Sequence, residues 1–285
     1  MTELQTVLNN ILADKNANLK PENLKAGITC LGIQGIADIG GGVISQEEYN
    51  TCVNLTKEII GIPTTLPPVT SGLVLALDNR YNDTDLHHNN EISYWYNLVD
   101  SSLVSIPSPS FTDIGLKFNG VDFHLETPIE QSTLANGYTI CLIINPEEWS
   151  NYRGVFGLHG KNNAGLVGLQ SEGNYVVYNN FLSSEGVSIP HDKIMTNTWH
   201  SIICVYNVSE CKVYVDGIMY GPTAQGEFSP YGKLVFGYSY DSYNRYFKGI
   251  MNSIFVYNRA LSSDEINSVH YYLLRSIEEI AQTNI

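Results

Sequence analysis

Short apolar runs recur about every ten residues from Leu73 to Tyr272, and clusters of Gly, Asn, Asp and Ser separate them. Two of the clearest strand patterns are Trp199 to Tyr206 and Lys248 to Tyr257. Asp216-Gly217 lies between two such runs and predicts a type I′ hairpin, because both central residues of that turn need a positive φ. Many short strands joined by turns predict an antiparallel β-sandwich.

Three other segments predict helices. Residues 2–13 carry apolar residues at helical spacing, while Ser45 to Glu48 and Ser262 to Glu265 are capping boxes that precede apolar stripes. Three prolines between residues 63 and 68 favour an extended spacer instead. We therefore predict an N-terminal segment (1–42), a short helix (43–60), a Pro-rich linker (61–72), a β domain (73–274) and a helical tail (275–285). The helix over 43–60 either joins chains or packs on the β domain.

Composition and charge narrow the classes of partner. Charged residues make up 15% of the chain, which has 24 Gly and 19 Tyr, a balance that suits strands and turns. The formal net charge of −14 would repel phosphate backbones, so no nucleic acid is expected. No apolar run reaches the roughly 20 residues of a membrane span, and Met1-Thr2-Glu3 does not begin a signal peptide. The five cysteines lack C-x-x-C spacing and predict buried free thiols.

Ordered sequence pieces carry a family resemblance. They are Leu73-Val74-Leu75-Ala76-Leu77-Asp78 followed by Trp95, Leu116 to Phe123, Gly137 to Ile140, Trp199-His200, Val213 to Gly217, and Phe247 to Gly249 leading to Tyr257 to Leu261. Together they resemble the concanavalin A-like or laminin-G-like jelly-roll family. The resemblance implies a mainly β, antiparallel jelly-roll sandwich with a small α-containing N-terminal region and a short C-terminal helix. It does not fix the function, because this fold serves lectins, glycosidases and adhesion modules.

The segment from Asn18 to Gly35 has a second resemblance. Its pattern L-K-P-E-N-hydrophobic-K-x-G, followed by short apolar stretches and glycines, is similar to N-terminal segments of bacteriophage virion proteins. The resemblance implies attachment to other virion structural proteins at the surface of a phage particle. The residues implied are Leu19, Pro21, Leu24, Gly27, Ile28, Leu31, Ile33 and Gly35. A homotrimer is the expected assembly, because avidity would strengthen weak sites.

Catalytic patterns are missing from the sequence. Retaining glycosidases of this fold place two acids on one face of an E-x-D-x-x-E or E-x-D-x-E strand. Here Pro128 separates Glu126 from Glu130, and adjacent Glu147 and Glu148 would point to opposite faces of a strand. We therefore predict that the protein is not an enzyme and keep glycoside hydrolysis as an alternative.

Loop carboxylates suggest one cofactor. Laminin-G-like domains often hold calcium at the rim of the sandwich, through carboxylates and loop carbonyls. The candidate ligands here are Asp78, Asp83, Asp85 and Asp241, although no ligand spacing is recognisable. His87-His88 could join Asp83 and Asp85 at a metal, but such pairs are more often solvated loop residues. No other cofactor is expected.

Two aromatic loops suit carbohydrate, because a sugar presents a C–H face and a rim of hydroxyl groups. The candidate residues are Trp149, Asn151, Tyr152, Arg153, Tyr238, Tyr240, Asp241, Tyr243, Asn244 and Tyr246. Contact between subunits and ordinary loop packing are the alternatives. The sequence therefore predicts a phage appendage, a fibre or receptor-binding protein, whose lectin-like domain binds host-surface or environmental glycan. The alternatives are a structural head or tail decoration without ligand, and a glycoside hydrolase.

Overall fold

The computed structural model describes residues 29–30, 33–34, 66–81, 94–106, 111–112, 114–149, 153–158, 171–172, 174–177, 186–224, 232–238 and 245–283. The chain divides into two compact units, Met1–Thr64 and Thr65–Ile285. In the first unit, strands β1 (Thr29–Cys30) and β2 (Ile33–Gln34) pair antiparallel. The helices predicted over 2–13 and 43–60 and the attachment residues other than Ile33 lie outside the described residues. No helix among the described residues is long and apolar enough to cross a membrane.

The second unit is mainly β and ends in one helix, as the sequence predicts. Its strands are β3 (Leu73–Asp78), β4 (Tyr94–Tyr96), β5 (Leu103–Ser105), β6 (Phe111–Thr112), β7 (Gly115–Asn119), β8 (Leu125–Glu130), β9 (Tyr138–Pro146), β10 (Phe156–Leu158), β11 (Ser171–Glu172), β12 (Asn174–Val177), β13 (Val187–Pro190), β14 (His200–Tyr206), β15 (Glu210–Val215), β16 (Ile218–Ala224), β17 (Lys233–Phe236) and β18 (Lys248–Tyr257). The helix is α1 (Ser263–Thr283). Short 3₁₀ turns cover Asn79–Tyr81, Gln131–Leu134 and His191–Lys193.

The strands form two layers around one core. The large sheet has the order β16-β15-β14-β9-β18-β7-β6, and β3 pairs with β18 beyond the end of β7. The second layer contains β10-β17-β8, the hairpin β4-β5, which contacts β8, and β11-β12-β13. The pairings between the described strands are antiparallel. Side chains from both layers, including Trp95, Leu142 and Phe236, meet in a continuous apolar core. This architecture is an antiparallel β-sandwich.

Helix α1 covers the other face of the large sheet and explains its burial patterns. The helix packs on β14 and β9, and its Val269 and Leu273 are fully buried. Consecutive residues of β9 and β14 are therefore buried, whereas β15 alternates between buried and half-buried positions. A strand covered on both sides needs a continuous apolar run, and a strand covered on one side needs only alternation.

Two predicted local motifs are confirmed. Asp216 and Gly217 have φ of 50° and 81°, the two positive values that a type I′ turn requires. The capping box of α1 is reciprocal, because the Ser262 N–H donates to Glu265 Oε2 at 2.8 Å and the Glu265 N–H donates to Ser262 Oγ at 3.4 Å. The hydrogen bonds from Arg259 and from the backbone of Ser262 lower the pKa of Glu265 to about 2.

Among the described cysteines, Cys141, Cys204 and Cys211 are buried free thiols, also as predicted.

A buried ion pair fastens the helix to the sheet. Asp78, at the end of β3, is fully buried and receives hydrogen bonds from Arg80 at 2.7 Å and 3.1 Å. The Tyr272 hydroxyl of α1 donates to the same carboxylate at 3.3 Å, and its ring lies 4.2 Å below the Arg80 guanidinium. Sheet, turn and helix are thus joined through one carboxylate.

Asp78→Ala should destabilise the domain strongly, because it leaves the guanidinium of Arg80 buried without its carboxylate. We expect a loss of about 3–5 kcal/mol in the free energy of unfolding. The control Tyr272→Phe removes only one neutral donor and should cost about 1 kcal/mol. Guanidinium unfolding curves measure both changes. Equal losses for the two variants would show that the ion pair does not fasten the helix.

Candidate functional site

The outward face of the second layer is polar where β8 and β17 pair. Along β8, Leu125 and Thr127 are buried, while Glu126, Pro128 and Glu130 are exposed. The Lys233 amine on β17 donates to Glu126 Oε1 at 2.9 Å, and both side chains remain more than 40% exposed. His124 precedes Leu125 and continues the outward row, because side chains alternate along a strand.

Three aromatic rings lie together at one end of this face. Tyr238 and Tyr246 are stacked with their centroids 4.6 Å apart, and His124 lies 5.7 Å and 6.3 Å from them. We call His124, Tyr238 and Tyr246 the tyrosine stack. Tyr238 is buried and Tyr246 is only half-buried, so Tyr238 supports a more exposed ring. A rigid, supported ring loses little entropy when a ligand covers it.

The backbone around Gly237 brings the two tyrosines together. Gly237 has φ of 80°, and a Cβ there would collide with the ring of Phe118. Its N–H donates to Val155 O at 2.6 Å, and its carbonyl accepts from the Phe247 N–H at 2.9 Å. Tyr238 and Tyr246 are also joined by an antiparallel bridge. The chain can therefore turn from β17 into the stack only because residue 237 is a glycine.

Charged groups bond to the backbone of Tyr246 and to one another. Arg153 donates at 2.8 Å to the carbonyls of both Gly120 and Tyr246, and at 3.1 Å to Glu148. Lys248 also donates to Glu148, at 2.9 Å. The hydrogen bonds from Lys248 and Arg153 lower the pKa of the Glu148 carboxyl. Arg153 thus joins three segments, and it links the ionised Glu148 to the backbone of Tyr246.

The predicted sugar-contacting residues are only partly described. Arg153 donates to the Tyr246 carbonyl and Tyr238 stacks on Tyr246, so the structure brings these three residues together, and their contact with sugar stays a prediction. Trp149 has a different environment, because its indole N–H donates to Ile194 O at 3.0 Å and its ring packs 6.0 Å from that of Phe247. Trp149 anchors its loop to the core. The others lie outside the described residues, namely Asn151, Tyr152, Tyr240, Asp241, Tyr243 and Asn244.

Sequence reasoning missed three aromatic residues on this layer. His124 could have been found from the alternation of buried and outward-facing residues along β8, because that alternation extends back to residue 124. On β4, Trp95 is buried while Tyr94 and Tyr96 point outward as an edge-to-face pair 5.3 Å apart. Burial, followed by the hydrogen bond with Tyr94, raises the pKa of Tyr96. The Tyr-Trp-Tyr alternation predicts this outward pair once β4 is recognised as a strand.

The calcium site expected from the sequence needs one correction. Asp78 is predicted as a ligand, but its carboxylate is buried and accepts hydrogen bonds from Arg80 and Tyr272, so it is not open to a cation. Asp83, Asp85 and Asp241 lie outside the described residues. Within the described ranges, no group of three His, Cys, Asp or Glu residues could hold a metal ion.

Comparisons with known proteins agree with this fold. A model of the concanavalin A-like lectin/glucanases superfamily matches residues 119–267, just over half of the chain. A solved sialidase from Trypanosoma rangeli matches with a TM-score of 0.59 and 17% identity, over 79% of this chain and 39% of the sialidase. Domain 4 of the arabinanase AbnA from Geobacillus stearothermophilus matches with a TM-score of 0.49 and 17% identity, over 71% of this chain and 100% of that domain. Among curated proteins, none matches.

These comparisons correct the prediction that the chain is not an enzyme. A sialidase is an enzyme, and 79% of this chain matches the fold of a part of it. The absence of an E-x-D strand excludes one arrangement of catalytic carboxylates. It does not exclude glycosidases as a class. At 17% identity the similarity shows the fold alone, and the chain spans about two fifths of the sialidase.

The family match lies within the β domain. The segment from Leu19 to Gly35 is outside it, so its resemblance to virion proteins stays a prediction. The strands from β8 to β18 and the first turn of α1 fall inside the matched residues. Their antiparallel order and shared core are those of a sandwich. The chain therefore belongs to the concanavalin A-like lectin/glucanases superfamily.

Proposed function

We propose that the β domain binds carbohydrate and that Tyr246 is the platform for a sugar ring. The observation that carries this proposal is the 4.6 Å stacking of half-buried Tyr246 on buried Tyr238. The support fixes the outer ring before a ligand arrives, which lowers the entropy cost of binding. The C–H face of a sugar packs well on such a ring.

Polar groups that Arg153 links to the backbone of Tyr246 suit the hydroxyl rim of a sugar. Glu148 is ionised and accepts hydrogen bonds, and Lys248 supplies a donor that is 39% exposed. Tyr94 and Tyr96 point outward from the same layer and provide further aromatic surface for a longer glycan. A site of this kind selects ligands by paired hydrogen bonds as well as by burial.

The first test replaces the platform. Tyr246→Ala should weaken glycan binding at least tenfold, which corresponds to about 1.4 kcal/mol, because the sugar loses its stacking surface. A glycan array, with sialylated and neutral glycans, identifies the ligand, and titration calorimetry measures the affinity. Tyr271→Ala is the matched control, because Tyr271 is a 69% exposed tyrosine on α1. The proposal fails if wild-type protein binds no glycan, or if both variants bind as wild type does.

Glycoside hydrolysis is the second candidate, and the fold that the chain shares with part of a sialidase favours it. A glycosidase nucleophile must be ionised, and the hydrogen bonds from Lys248 and Arg153 favour the ionised form of Glu148. Glu148→Gln should then abolish the release of oligosaccharide from the bound glycan, measured by mass spectrometry. Glu126→Gln is the control at an exposed ion pair of β8. If wild-type protein releases no oligosaccharide, this candidate is wrong and binding alone is supported.

We also propose that the chain is a trimeric component of a phage particle, with residues 19–35 as the attachment segment. The motif in that segment supports this part of the proposal. Light scattering should give three times the chain mass of 31.7 kDa, and immunogold labelling should place the protein on particles. A monomer, or particles without label, would contradict it. A labelled oligomer that binds no glycan would instead favour a structural decoration.

A further inference from the structure

A cavity of about 300 Å³ lies on the helix side of the large sheet, on the opposite face from the second layer. Its floor consists of Val205, Leu261 and Ile266, which are almost fully buried. One wall is the outward row of β15, with Glu210, Lys212 and Tyr214. The cavity shares no residue with the tyrosine stack.

The cavity exists because α1 leaves the end of the sheet uncovered. The helix begins at Ser263 and packs on β14 and β9, so the outward side chains of β15 remain half-buried. Val205 on β14 and Ile266 on the first turn of α1 define the bottom of the gap. The base of the gap is thus apolar, and its walls are polar.

The polar wall carries both donors and acceptors but little net charge. The Lys212 amine is 2.7 Å from Glu210 Oε1, and the Asn207 amide donates to the same oxygen at 3.2 Å. The half-exposed side chains keep further hydrogen-bonding capacity toward the opening. An anion would meet a lysine that is already paired, and a cation would meet a paired glutamate. The wall therefore suits a neutral ligand rich in hydroxyl groups.

Size and lining together fit a single sugar ring. A volume of 300 Å³ is at the lower end of the usual range for small-molecule sites, roughly 300–1,000 Å³. A pyranose can place its C–H face on the half-buried ring of Tyr214 and its hydroxyl groups on the polar side chains of β15. We propose that this cavity is a second sugar-binding site, which takes one neutral sugar residue independently of the tyrosine stack.

The test fills the cavity without removing its polar wall. Ser263 lines the cavity at the start of α1, and Ser263→Trp should occupy it. Ser268→Trp is the matched control, because Ser268 is an exposed serine on the same helix outside the cavity lining. Saturation-transfer NMR with glucose, galactose, mannose and N-acetylglucosamine measures binding of single sugars. Thermal unfolding verifies that each variant is folded.

At least one of these sugars should give a signal with wild-type protein. We measure it in the Tyr246→Ala background, which removes the tyrosine stack, and expect the signal to persist there and with Ser268→Trp added. It should fall at least fivefold when Ser263→Trp or Tyr214→Ala is added instead. If Ser263→Trp does not fold, Tyr214→Ala decides the question. The absence of any signal, or a signal that survives both cavity variants, would overturn the proposal. A signal lost only in Tyr246→Ala would overturn it and still support binding at the tyrosine stack.

Discussion

The structure depends on the burial of both faces of the central strands of the large sheet. β9, β14 and β18 carry almost continuous apolar runs, and only one face of each can meet the second layer. Helix α1 covers the other face, where Cys141, Ile203 and Phe255 would otherwise be exposed. Burying a large apolar side chain stabilises the folded state by about 1.5–3 kcal/mol. The helix is therefore a layer of the domain, and the contact of Asp78 with Arg80 and Tyr272 holds it there.

A rigid sandwich is what allows the tyrosine stack to form. Tyr238 follows β17, Tyr246 precedes β18 and His124 precedes β8, so three separate strand ends set the positions of the rings. Arg153 then bonds to backbone carbonyls of two of the segments involved. Because the rings are fixed by the sheets and not by their own loop alone, the geometry of the platform exists before ligand binds.

Local chemistry was predictable and long-range pairing was not. The turn at Asp216-Gly217 and the capping box at Ser262 to Glu265 depend on neighbours in sequence, and both are confirmed. His124 meets Tyr246 across 122 positions, and no local pattern encodes that contact. Asp78 shows the same limit, because a carboxylate at a strand end predicts a metal ligand as readily as an ion pair. Only Arg80 and the distant Tyr272 decide between the two.

Local charge, and not the net charge of −14, governs what the two sites can accept. Exposed charges more than about 10 Å apart are largely screened at moderate ionic strength. Glu148, which Arg153 links to the Tyr246 backbone, lies between two cations, and at the cavity Glu210 is paired with Lys212. Each site therefore offers donors and acceptors within an acidic chain. Hydroxyl groups, which both donate and accept, can use such paired charges better than a phosphate or an ammonium group can. The same physical argument thus favours carbohydrate at both places, although the residues and the faces of the sheet differ.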